Sequence, residues 1–287
     1  MGFIKIMSLT LQKSRSLSEF STLGIGGPIR YFVQVSNIEE MCEAFRFDYP
    51  KMVIGKGSNC LFHDKGFAGL VILNKIDFCN WQETDVSVGA GYSFSLLGVQ
   101  SARKGLSGLE FASGIPASVG GAVFMNAGAN GQETCNALRS VEYFDGKERR
   151  VFLKEELEFK YRSSPFQTME GVILSATFSL ERKQTARKSQ LQIIERRMKT
   201  QPLKEKSIGC IFRNPPGKSA GALIDECGLK GFGVGDAKIS SLHANFIINT
   251  QNATSNDIKE LIRLVQERVL AQTGVYLEPE IRMIDDT

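Results

Sequence analysis

Histidine is nearly missing from this chain: His63 and His243 stand 180 positions apart, and there is a single tryptophan. The six cysteines, Cys42, Cys60, Cys79, Cys135, Cys210 and Cys227, form no C-x-x-C pair. Such spacing fits neither a local zinc site nor a disulfide framework, so no metal is expected and the thiols suit a reducing compartment. No apolar stretch approaches the roughly 20 residues of a membrane span, and the opening MGFIKIMSLT lacks the apolar core and cleavage site of a signal peptide. Ile6 also stands where a myristoylation signal wants Ser or Thr. A cytoplasmic protein without a membrane span is expected.

What is present is core material. The chain has 287 residues, of which 42% are hydrophobic and 23% charged, enough for roughly two or three domains. Its net charge of +4 is unevenly spread: residues 181–218 hold eleven cations against three acids. That segment reads either as a solvated basic helix and loop or as a docking region for an anionic ligand. Nucleic acid is not expected, because the segment has one aromatic, Phe212, and no recognised binding motif.

Three blocks follow from the patterning, with boundaries at 1–70, 71–183 and 184–287. The first combines the glycine turn of TLGIGGPIRYFVQV, a short helix near IEEMCEAF and an apolar strand running into VIGKGSNCLF. Apolar strands alternate with glycine turns in the second: GLVILN, DVSVGAGYS, SVEYFDG and GVILSATFSLE. The third predicts a helix over about 185–199 with an apolar stripe of Leu191, Ile194 and Met198, a strand at HANFIINT, and a helix over about 258–272. On that last helix Ile258, Leu261, Ile262, Val265 and Val269 share a face, Asp257 and Glu260 suggest a capping box, and Gly274 a stop.

Glycine supplies the chemistry-bearing loops. In VIGKGSNCLF, Gly55 and Gly57 let backbone amides approach an anion, although a tight turn without a ligand would use the same residues. Cys60 stands where the dinucleotide fingerprint wants a third glycine, and no helix is evident after it. GKS at 217–219 is not a phosphate loop, since Phe212 occupies the position of its first glycine. The run LEFASGIPASVGGAVFMNAGANG, residues 109–131, says more: five glycines among small residues let the backbone lie against something large.

VIGKGSN, SGIPASVGGAVFMNAGA, YRSSPF, SIGCIFRNP, GALIDECGLKG and LEPEIR occur in an order and at a spacing that resemble the UDP-N-acetylenolpyruvoylglucosamine reductase family, from about Ser21 to Arg282. The resemblance implies an α+β fold: a two-part FAD-binding module of the vanillyl-alcohol-oxidase (PCMH) type formed by the first two blocks, and a carboxyl-terminal α+β substrate domain. It implies non-covalent FAD, NADPH as hydride donor, and a UDP-sugar enolpyruvyl ether as substrate of a monomeric enzyme of peptidoglycan precursor synthesis. The cofactor loop would fall on Gly55, Lys56, Gly57, Ser58 and Asn59, and a second flavin-facing segment on Ser113, Gly114, Ile115, Pro116, Val119, Gly120 and Gly121, with Arg282 also at the cofactor.

By the same resemblance Arg162 would be the catalytic arginine and Glu280 the catalytic glutamate, while Cys210 stands where the family's proton donor is usually serine. Apart from the motif, Arg162 would read as a surface arginine at a strand end and Cys210 as a small buried hydrophobe. Within it, a guanidinium can hold a carboxylate through two parallel hydrogen bonds, and a thiol with an ordinary pKa near 8.5 is a stronger acid than an alcohol. Arg213 and Asn214 match the substrate-binding pair, with Lys199 and Asn245 as further candidates and His243 beside them. No tyrosine lies between Tyr161 and Tyr276, so the chain resembles the shorter version of the family without its tyrosine loop. Two other readings stay open: another FAD oxidoreductase of the same module, with His63 as a covalent flavin ligand, and a non-catalytic UDP-sugar-binding protein.

Overall fold

Apolar alternation and glycine turns do make strands here, and they gather into two compact units that are each discontinuous in sequence. In this computed structural model, residues 3–6 and 9–284 are described. The reading of MGFIKIMSLT rests partly on Met1, Gly2, Met7 and Ser8, which lie outside them. The first unit takes Met1–Lys13, Tyr31–Lys56 and Gly69–Arg196; the second takes Ser14–Arg30, Gly57–Ala68 and Arg197–Thr287.

Two sheets build the first unit. One orders the strands Phe3–Ile6, Leu9–Gln12, Pro28–Val35, Phe67–Asn74 and Lys51–Ile54, the last two parallel. The other is antiparallel, in the order Arg149–Leu153, Leu138–Phe144, Val172–Ser179, Asp85–Gly89 and Cys79–Gln82. Helix α1, Ile38–Phe45, starts where the Asn37 side chain accepts from Glu40 N at 2.8 Å, and it buries Met41, Cys42 and Ala44. Helices α2, Phe94–Arg103, and α3, Val119–Phe124, begin at the caps Ser93 and Ser118; a single turn, α4, covers Thr134–Ala137. Phe94, Leu97, Val119, Ala122 and Val123 of α2 and α3 enter one buried cluster with the antiparallel sheet.

Helix α5, Ala186–Thr200, forms where the pattern predicts it, but its stripe does not face a core. Leu191 is 48% exposed and Met198 68%; the buried residues are Ala186 and Gln190. Five apolar residues in fifteen, Ala186, Leu191, Ile193, Ile194 and Met198, are too few and too scattered to decide which face packs, and periodicity alone cannot say whether a stripe has a partner.

The second unit packs an antiparallel sheet, ordered Lys206–Cys210, Phe246–Asn249, Ala237–Ile239 and Gly233–Val234, with helices α6, Ala220–Glu226, and α7, Ser255–Thr273. Ile258, Leu261, Ile262, Val265 and Val269 of α7 are all buried as the spacing predicts, each stabilising by roughly 1.5–3 kcal/mol. Its cap differs from the expectation. Thr254 Oγ1 accepts from Asp257 N at 3.1 Å while Asp257 Oδ2 accepts from Thr254 N at 2.8 Å, so Asp257 is the third helical residue and not the cap. Glu260, one turn on, instead accepts from Arg263 Nε at 2.8 Å. Gly274 ends the helix at φ 69°, a left-handed conformation that suits glycine.

Among the described residues no helix is long and apolar enough to cross a membrane. The contrast between α5 and α7 is measurable by urea unfolding. Leu261→Ala should cost about 2–5 kcal/mol, while Leu191→Ala and Met198→Ala should stay within about 0.5 kcal/mol of the parent.

Candidate active site

The expected site residues fall in both units. Gly55, Lys56, the segment 113–121 and Arg162 belong to the first; Gly57, Ser58, Asn59, Lys199, Cys210, Arg213, Asn214, Asn245, Glu280 and Arg282 belong to the second.

In the second unit Cys210 closes the strand Lys206–Cys210, opposite Phe246, after an irregularity in which Gly209 takes φ 81°. The chain then leaves the sheet, and Asn245, 3% exposed, catches it: its Oδ1 accepts from Phe212 N at 2.9 Å and its Nδ2 donates to Phe212 O at 2.8 Å. A second partner runs along the other side. Glu280 N donates to Ile211 O at 2.7 Å, Arg213 N to Glu278 O at 2.9 Å, and Phe212 bridges Pro279. Cys210 and Glu280 are thereby carried by adjoining backbone, residue 210 being next to the one that holds Glu280. Asn59 joins them, its side chain reaching Glu280 O at 3.5 Å and its carbonyl accepting from Arg282 N at 2.9 Å. Arg282 also lies in register with Cys60 in a parallel strand pair.

A cation acts on Cys210. Arg197, on the last turn of α5, lies close enough to Cys210 for their charges to act on each other, and burial pulls the Arg197 pKa down. Arg213 pairs with Glu278 at 3.1 Å. Asn214 Oδ1 accepts from Ala220 N at 3.0 Å, where α6 begins, and Lys199 is exposed on α5. His243 Nδ1 accepts from Asn245 N at 3.3 Å, and burial lowers its pKa, with Lys230 and Arg197 adding to the effect. Arg197 was not singled out from the sequence; nothing in its stretch of eleven cations marks one as facing a thiol.

In the first unit Gly55 is packed so tightly that an added Cβ would run into Ser118 Oγ, the cap of α3. Gly120 would meet Ala90 Cβ at 2.9 Å. Lys56 Nζ reaches Ser93 Oγ at 2.9 Å, and burial together with Lys75 lowers its pKa. Ser113 is fully buried, and Gly114 N donates to Ser95 Oγ at 2.7 Å. Arg162 sits in a turn closed by Lys160 N to Ser163 O at 3.0 Å and Ser163 N to Lys160 O at 2.9 Å. Its φ is 55°, and its guanidinium donates to Gly128 O at 2.9 Å. Gly128 has to be glycine: a Cβ there would press on Gln132 O and stand 3.1 Å from the Arg162 guanidinium.

These loops fit a bound dinucleotide. The carbonyls of Gly57 and Asn59 are used, by Thr22 N and Arg282 N, whereas no hydrogen bond among the described residues is donated by the backbone N–H of Lys56, Gly57, Ser58 or Asn59. Gly57 takes φ 58°, and successive amides in such a turn form a concavity for an anion. The amides of Val119, Gly120 and Gly121 are by contrast taken, by Tyr92 O, Ala90 O and Ser118 Oγ. That second segment can offer a ligand its close-approaching backbone and side chains rather than those donors.

Comparison with known proteins agrees. Residues 29–153 match the family profile described as FAD binding domain, and residues 201–284 match UDP-N-acetylenolpyruvoylglucosamine reductase, C-terminal domain. An α+β fold with an FAD-binding domain defines the class: an FAD-containing oxidoreductase. The UDP-N-acetylenolpyruvoylglucosamine reductase of Protochlamydia amoebophila is 56% identical over 274 residues, covering 93% of this chain and 92% of the relative. That of Chlamydia muridarum is 50% identical over 281 residues, 96% of this chain and 95% of the relative. The crystal structure of the UDP-N-acetylenolpyruvylglucosamine reductase from Thermus caldophilus, 40% identical, covers 96% of this chain and 100% of its own with a TM-score of 0.85. The chain belongs to the UDP-N-acetylenolpyruvoylglucosamine reductase family.

Arg162 offers a test of its backbone apart from its charge. Arg162→Gly and Arg162→Ala both lose the guanidinium, but only glycine relieves the left-handed φ. The glycine variant should therefore be more stable by roughly 1 kcal/mol, inverting the usual order of the two residues, as read from denaturant midpoints.

Proposed function

We propose that this chain catalyses the NADPH-dependent, FAD-mediated reduction of UDP-N-acetylglucosamine enolpyruvate to UDP-N-acetylmuramate, as a monomer in the cytoplasm. Residues 1–70 and 71–183 carry the cofactor in this reading, and residues 184–287 the substrate. Its main support is the Ile211–Glu280 hydrogen bond of 2.7 Å, which sets the proposed proton donor and the proposed glutamate on adjoining backbone.

FAD held by the Lys56–Asn59 loop and the 113–121 segment would supply the hydride that the terminal vinyl carbon of the substrate receives, with NADPH as its source. As that bond forms, negative charge builds on the neighbouring carbon and its carboxylate. Arg162 holds the carboxylate through paired N–H donors, an interaction that strengthens as charge accumulates. Cys210 gives its thiol proton to the carbanion carbon, completing the addition of one hydride and one proton across the double bond. The thiolate left behind lies within the field of Arg197, which favours the charged form. Glu280 orients the groups at the enolpyruvyl unit.

For the diphosphate of the substrate we assign Arg213, Asn214 and Lys199, cations and an amide from the basic segment. Asn245 serves that region at one remove, since its amide is engaged with Phe212 at both ends. The backbone of Lys56–Asn59 and the Lys56 ammonium suit the cofactor diphosphate. Ile115, Pro116 and the backbone around Ser113, Gly114 and Val119–Gly121 suit its ring, with Arg282 beside Asn59.

The purified protein should show flavin absorption bands that bleach on anaerobic addition of NADPH and return when the enolpyruvyl substrate is added. Folded protein without flavin bands, unable to take up added FAD, would overturn the reading. Flavin that stays with the acid-precipitated protein would instead favour the covalently flavinylated alternative. Cys210→Ala should slow reoxidation by about 10²–10⁴-fold, while Cys210→Ser should keep most of it. Burial raises the pKa of each of the other five thiols, which keeps them protonated and less reactive. Peroxide should accordingly inactivate the parent faster than Cys210→Ser, and equal rates would show that Cys210 is not an oxidation-prone thiol.

A further inference from the structure

Arg162 lies in a conformation that its own side chain disfavours, and three neighbouring side chains keep it there. A non-glycine residue at φ 55° persists only where its surroundings over-determine it. Asn126, fully buried and itself at φ 43°, donates from Nδ2 to Lys160 O at 3.0 Å and to Glu133 Oε2 at 2.9 Å, and accepts from Cys135 N at 3.1 Å. That fixes the carbonyl at the start of the turn. Gln167 Nε2 fixes the carbonyl of Arg162, donating to its oxygen at 3.2 Å and to Phe124 O at 3.0 Å. Ser164 Oγ donates to the same Phe124 oxygen at 2.6 Å.

The consequence is that the carboxyl end of α3 and the residues just after it are tied to the arginine turn from both sides. Gln167 and Asn126 bear no charge, and the turn whose carbonyls they hold is the one that carries Arg162, so the placement of Arg162 is the route by which they bear on a ligand. We propose that Gln167, together with Asn126, is a positioning residue that sets the Arg162 guanidinium for the substrate carboxylate; the inference rests on the reading of Arg162 as the carboxylate-binding group. Nothing in the reaction needs an amide at residue 167 otherwise.

Calorimetric titration of the oxidised holoenzyme tests this with two ligands, UDP-N-acetylglucosamine enolpyruvate and UDP-N-acetylglucosamine, which lacks the carboxylate. Gln167→Met keeps the size of the side chain and removes its donors. It should cut the preference for the enolpyruvyl ligand by on the order of tenfold, leave binding of UDP-N-acetylglucosamine unchanged, and cost nothing more when added to Arg162→Ala. Gln167→Asn, which keeps the amide but shortens its reach, should move the preference the same way and serves if the methionine variant does not fold. Equal weakening for both ligands, an unchanged preference, or an added loss in the Arg162→Ala background overturns the inference. An Arg162→Ala variant that retains the full preference overturns the reading of Arg162 on which it rests.

Discussion

The amide of Asn245 is the interaction on which the arrangement around Cys210 depends. At Cys210 the strand stops pairing in regular fashion, and the buried Phe212 would otherwise keep unmet backbone groups. One side chain meets both the donor and the acceptor of Phe212. Leaving two such buried groups without partners would cost roughly 1–3 kcal/mol each, so the clamp is hard to replace by an apolar residue. Once Phe212 is fixed, the other edge of the same stretch is free to take the segment 278–280, which brings Glu280 beside it. Asn245 thus spends its polarity on backbone, and its part in this region is to position the chain.

A similar division of labour runs through the first unit. The glycines of the 109–131 run do not all serve a ligand. Gly120 and Gly55 allow elements to touch, Gly128 makes room for the Arg162 guanidinium, and the end of the run supplies Asn126 to the arginine turn. A motif that reads as flavin-facing is therefore also the support of an arginine more than thirty residues later. The backbone N–H groups of Lys56–Asn59 have no protein partner among the described residues, and they are the part of these loops whose polarity calls for an anion.

Much of this was legible in the sequence, and the parts that were not share a cause. Strands such as GLVILN and GVILSATFSLE, the helix at IEEMCEAF and the buried face of α7 follow from local pattern, because each buries enough apolar surface to fix its own orientation. The α5 stripe misled for the converse reason: Leu191 and Met198 have the spacing of a core face and remain exposed. The α7 cap shifted by three residues because Thr254, Asp257 and Glu260 all offer plausible capping chemistry, and only the chain entering from Ala253 decides among them. Asn126, Gln167 and Arg197 could not have been found by spacing. Each matters through a backbone oxygen or a thiol outside its own helix or turn, and no periodicity marks a polar residue for such a partner.

In the mechanism proposed above, Arg197 bears on why a thiol can stand at residue 210. A serine donor becomes an alkoxide as it gives up its proton, a species so basic that the proton must be returned almost in concert. A thiolate is far less basic and can wait, and a half-buried cation beside it stabilises the waiting state. The same cation works against the resting enzyme if it drives too much of the thiol to thiolate before substrate arrives, since the thiolate has no proton to give. The balance needed at this position is consequently a property of the pair, and exchanging Cys210 for serine alters the demand placed on Arg197 as much as it alters the donor.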